Sequence, residues 1–140
     1  MPAEQVEHYI RWASDFVRGM KMTQGDDLYR NSSALLAIHS AISYADALRV
    51  GLGDSQLSNE DHKVATDRLK RLLAEKKYDD ISGLTHLQYP ISKKSQIAYG
   101  DQGADQKECQ MLATKAERFA RWANQAGTHL KLGGWKHDDN

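Results

Sequence analysis

Two side chains suited to proton chemistry, His39 and Asp46, stand inside the alanine-rich run NSSALLAIHSAISYADALRVGLG at residues 31–53. Seven positions separate them, about two helical turns, so they share one face but do not meet through a single helix. Histidine titrates near neutrality and suits a ligand or a proton carrier. The plainer reading is an interior or interface histidine bonded to a neighbouring helix. An aspartate among alanines is costly when buried alone, so Asp46 requires an arginine or lysine from another helix or subunit. His62, within Glu60-Asp61-His62-Lys63, reads as a solvated first-turn residue of another helix.

Other chemistries fail on spacing. Di-metal carboxylate bundles need Glu-x-x-His on two helices, and zincins need His-Glu-x-x-His; the chain has neither. Gly51-Leu52-Gly53 lacks the rest of any phosphate-loop fingerprint. Cys109 falls in an apolar stripe and reads as a core thiol. No cofactor and no metal is expected. Lys93-Lys94-Ser95 and Lys76-Lys77, with Arg68, Lys70 and Arg71, bias the middle of the chain towards basic. Such clusters are most simply a solvated face; the alternative is a polyanion site. Tyr44, Tyr89 and Tyr99 can pack or present hydroxyls to a groove.

The elements that position these residues are helices. The first covers residues 3–22, with Val6, Ile10, Ala13, Val17 and Met20 as its apolar stripe, widened by Trp12 and Phe16. A turn with Gly25 leads to a second helix over residues 28–50, whose serines and alanines allow close packing, capped by Gly51 and Gly53. The third starts near Ser58, with Asp61 completing a capping box, and ends near Glu75. A fourth begins near Ile81, breaks at Tyr89-Pro90 and resumes over residues 91–99. The last spans residues 105–126 and ends at Gly127. No window alternates with a strand period.

The chain is therefore expected to be all-α, an up-and-down bundle of four to five helices. One domain covers residues 1–127; residues 128–140 form a flexible tail unless Leu130, Leu132 and Trp135 dock. The 140 residues carry 19 basic and 19 acidic side chains, so global charge gives no nucleic-acid footprint. A single cysteine excludes an intrachain disulfide and suits a cytoplasmic protein. No secretory signal is expected at the N-terminus. No apolar run nears the roughly 20 residues that span a bilayer.

Four segments together, ALLAIHSAISYADAL (34–48), SNEDHKVA (58–65), LTHLQYPISKKSQIAY (84–99) and ATKAERFARWA (113–123), resemble the HEPN superfamily (higher eukaryotes and prokaryotes nucleotide-binding) over residues 5–126. The resemblance implies a small helical bundle, commonly a homodimer. Many members are metal-independent ribonucleases in toxin–antitoxin or defence systems, with an arginine, four to six residues, then a histidine. Others bind RNA, a nucleotide or a partner protein without cleaving, some beside a nucleotidyltransferase. Here no arginine is followed by a histidine at that spacing; Arg121 and His129 come nearest, with seven residues between them. At the corresponding late-helix positions stand Lys94 and Tyr99. Lysine holds a phosphate as a point charge, whereas tyrosine is a poor general base at neutral pH. The expectation is a non-catalytic module, with Lys93, Lys94 and Tyr99 touching the polyanion. The alternatives are a divergent ribonuclease using Lys94 and Tyr99 or recruiting His39 or His62, and a structural dimer in which His39 and Asp46 are only internal contacts.

Overall fold

A computed structural model describes residues 2–54, 62–100 and 103–136, and all its regular structure is helical. Five α-helices are present among them: α1 (Pro2–Thr23), α2 (Arg30–Gly51), α3 (His62–Glu75), α4 (Leu84–Tyr99) and α5 (Gln106–His129). A 3-10 turn, Asp27–Tyr29, joins α1 to α2, and the Asp26 carboxylate caps it by accepting from the Leu28 amide. The Ser58/Asp61 capping pair and the His62 side chain lie outside the described residues.

The second helix is the centre of the bundle. It packs against α1, α3, α4 and α5, and Ser33, Ala34, Ala37, Ser40, Ala41, Ala45 and Ala47 are all buried. Small side chains at these positions let several helix backbones come close at once. Val6 and Ile10 meet Ala47 and Val50, while Met20 meets Ala34, Ala37 and Ile38, so α1 runs antiparallel to α2. The Cys109 thiol reaches the Arg30 carbonyl and Asn124 reaches Tyr44, so α5 runs parallel to α2. Glu108 meets Lys93, and Trp122 seats on Gly83, so α4 runs antiparallel to α5. Leu69 and Leu73 of α3 close the core at the end where Leu52, Leu84 and Leu87 gather.

Several boundaries differ from the sequence reading. The second helix begins at Arg30 rather than residue 28, after the 3-10 turn, and it includes Gly51, with Leu52 as its cap. The fourth helix begins at Leu84 rather than Ile81, because a turn closed by the Leu84 amide on the Ile81 carbonyl occupies residues 81–84. Pro90 does not break α4: it is fully buried inside a continuous helix. It removes one amide donor, and its ring contributes to the packed interior. Gly127 does not end α5, which runs on to His129. Its missing side chain admits Trp135 instead; a Cβ there would overlap the indole. The Trp135 Nε1 donates to Asn124 Oδ1 at 3.2 Å, and Leu130 and Leu132 pack on the same core. Residues 130–135 therefore take the docked alternative.

The N-terminus of α5 carries a full capping box. The Asp105 carboxylate accepts from the Glu108 amide at 2.7 Å, and Glu108 accepts from the Asp105 amide at 3.1 Å. At the other end of α2, the chain is fastened by charge. Arg49, 2% exposed in its side chain, donates through Nε to Asp54 Oδ2 at 2.7 Å, and Asp54 has no exposed side-chain surface. Arg68 of α3 closes on the same carboxylate, with Nη2 at 2.8 Å from Oδ1. Removing one member of such a buried cluster leaves uncompensated charge. Asp54→Ala is expected to lower stability by about 3–5 kcal/mol, read as a fall in the urea midpoint. A midpoint equal to wild type would show that the cluster does not hold α2 to α3.

Candidate functional site

The structure divides the sequence-predicted residues between two faces of α4. Lys93 and Lys94 are neighbours, about 100° apart around the helix, and they point to different helices. Lys93 faces α5. Its ammonium lies 2.9 Å from Glu108 Oε2 and 5.5 Å from the centre of the Tyr89 ring. Gln96 donates to the same carboxylate at 3.0 Å. These bonds hold Glu108 well below the ordinary carboxylate range, at about 2, with the Lys93 hydrogen bond as the main cause. Lys93 is raised in turn, chiefly by its bond to Glu108. Its charge is thus matched locally, and it offers little to a polyanion.

Lys94 faces α2. Its positive charge acts on both His39 and Asp46. The Asp46 carboxyl is raised to about 6; burial is the largest cause, and Arg49 and Lys94 oppose it without cancelling it. His39 is lowered, first by lost water and then by Lys94. Its ring is exposed at the rim but packs against Phe16 of α1, with centroids 5.7 Å apart. From α1, Tyr9 approaches Asp46 closely enough to have its hydroxyl pKa raised, mainly by burial and further by that carboxylate. Asp46 therefore lies at the floor of a seam and His39 at its rim, with Tyr9 and Phe16 on the α1 side and Lys94 on the α4 side.

The sequence reading missed the aromatic part of this seam. Trp12 and Phe16 were expected to widen the core stripe of α1. Instead Trp12 is 50% exposed. His8, Trp12 and Phe16 follow each other at four-residue steps, with ring centroids 5.9 and 5.6 Å apart, and the series continues to His39. The signal was the spacing 8, 12, 16, which drifts off the core stripe of Val6, Ile10, Ala13 and Met20 around the helix.

Tyr99 does not join the cluster. It lies at the end of α4, 80% exposed, and five helical steps place it about 140° round from Lys94. Arg121 and His129 share the uninterrupted α5 but are about 12 Å apart along its axis, and His129 packs on Tyr78. No group of three or more His, Cys, Asp or Glu among the described residues could hold a metal ion. No described helix is long and apolar enough to cross a membrane. No family model, curated protein or solved structure matches the chain.

The raised Asp46 gives a pH dependence of definite sign. Its folded pKa, about 6, exceeds that of an unfolded aspartate, about 3.9. The folded state therefore binds more protons between these values, and stability falls as pH rises through that window. Asp46→Asn is expected to raise stability at pH 7 by about 1–2 kcal/mol, discounted for partial exposure, and to flatten the change between about pH 4 and 6. Denaturant titrations at several pH values check this; a variant less stable than wild type at pH 7 would show that the carboxylate is a net stabiliser.

Proposed function

We propose that the chain is a non-catalytic HEPN-like helical module that binds single-stranded RNA along the seam of α1, α2 and α4. The observation that carries this reading is the ring series of His8, Trp12, Phe16 and His39, exposed except at the half-buried Phe16, running up to the Lys94 side of the seam. Aromatic faces stack on unpaired bases regardless of sequence, and a cation beside them holds the backbone. Asp46 can accept from a base N–H, the N3–H of uracil included. Of Lys93, Lys94 and Tyr99, Lys94 is taken as the phosphate contact because its charge acts at His39 and Asp46, inside the seam. The absent arginine–histidine pair favours binding over cleavage. The same resemblance suggests a homodimer in a toxin–antitoxin or defence setting, with a nucleotidyltransferase as partner protein; light scattering on the purified protein tests the dimer.

Oligouridine is expected to bind at about 50 mM salt and to weaken steeply by about 300 mM. Trp12→Ala should weaken it about tenfold or more, and Lys94→Gln should reduce the slope of affinity against salt by about one ion. Equally negligible binding at both salt concentrations would remove the RNA reading.

A divergent metal-independent ribonuclease is the second reading, favoured by one observation. Asp46 is raised to about 6 and His39 is lowered beside the same lysine; oppositely shifted titratable groups are a mark of acid–base sites. RNA cleavage that disappears in His39→Ala but survives in Tyr99→Phe would select it.

A further inference from the structure

The antiparallel helices α4 and α5 meet along one row of contacts. Glu108, Lys115 and Trp122 follow each other on α5 at intervals of two turns, so they share one face. The matching residues of α4 run the other way. Lys93 meets Glu108 at 2.9 Å, and His86, two turns before Lys93, falls at the level of Lys115. Gly83 seats the Trp122 indole, whose Nε1 donates to the Asp80 carbonyl at 2.9 Å. The row thus begins with an ion pair and ends with an aromatic seat. Between them a histidine meets a lysine, with Arg118 about one turn further along α5.

His86 stands there without a partner for a positive charge. Its Nδ1 is buried and has no hydrogen-bond partner among the described residues. The charges that act on the ring are Lys115 and Arg118 of α5. Helices α2 and α3 also pack on α4, but no charged group of theirs is among them. Burial first, and these two cations next, lower the His86 pKa. An unfolded histidine titrates near 6.5 and binds its proton more readily than this one. The stability concerned is therefore present above about pH 6.5 and lost as the pH falls below it.

The backbone is weakened at the same residue. In an α-helix the His86 carbonyl would accept from the amide of residue 90, and Pro90 has none. Pro90 therefore divides α4 into residues 84–89, which carry His86, and residues 91–99, which Lys93 and Gln96 fasten to Glu108. A gap in the bonding ladder is where a helix bends.

We propose that His86 is an acid-sensitive latch between α4 and α5: its protonation sets a third cation against Lys115 and Arg118 and releases residues 84–89 from α5 about the Pro90 junction. Release uncovers Leu84, Leu87 and the Trp122 indole, all buried in the closed bundle. Lys94 lies beyond the junction, so the latch does not rest on the RNA reading.

The test is amide hydrogen exchange of the full chain, followed residue by residue by NMR at about pH 7.5 and about pH 5, on either side of the ordinary histidine value, and corrected for intrinsic exchange rates. Protection of amides 86–89 is expected to fall at least about fivefold at the lower pH, while amides 94–98 keep theirs. His86→Gln should abolish the difference. Lys115→Glu should reverse it, because a carboxylate there favours the protonated ring; this variant decides the matter if His86→Gln does not fold. Wild-type protection of 86–89 that does not change with pH would overturn the latch. So would a loss of the same size in 94–98, a loss that persists in His86→Gln, or one that persists in Lys115→Glu.

Discussion

Everything in this bundle depends on enclosing α2. A helix covered by four others has almost no face on which to put polar groups, so each polar residue it carries needs a specific arrangement. Burial of an unpaired charge costs several kcal/mol, of the order of a whole domain's net stability. Ser40 returns its hydroxyl to the Ala37 carbonyl, and Tyr44 meets Asn124 of α5. Arg49, too long and too charged for such local solutions, is matched by Asp54 immediately beyond the helix end, and Arg68 brings α3 to the same carboxylate.

Asp46 is the exception, and the exception defines the seam. Arg49 and Lys94 favour its charged form, yet desolvation dominates. A core built only for stability would have an alanine there. His39 lies on the same side of α2, held against Phe16 and influenced by the same lysine. The polar floor, the aromatic row of α1 and the ammonium of α4 thus come from three helices, and the close fit of α1 and α4 onto the small residues of α2 fixes their separation. The chemistry of the seam is a by-product of the same packing that makes the core.

Much of the helical frame was legible because it rests on local signals. The stripe Val6, Ile10, Ala13, Met20 and the small-residue face of α2 are periodic, and Asp105 with Glu108 is a local cap. What escaped depends on contacts distant in sequence. Gly127 looks like a terminator until Trp135 fills its side, and Pro90 looks like a break until its ring is seen inside the packed interior. Lys93 and Lys94 look equivalent until Glu108, fifteen residues on, takes one of them. Trp12 reads as core by hydropathy alone, yet it is half exposed, because its spacing with His8 and Phe16 carries it off the stripe that faces α2. His39 and Asp46 were recognisable as polar groups needing partners; which partners they would find was a property of the assembled bundle.

The most direct measurement is photochemical cross-linking of oligouridine to the protein in solution, followed by mass-spectrometric mapping of the modified residues. Adducts concentrated on Trp12, Phe16, His39 and Lys94 are the predicted result. Adducts confined to Tyr99 and the Lys93 side of α4, or spread evenly over surface lysines, would contradict an RNA-binding seam between α1, α2 and α4.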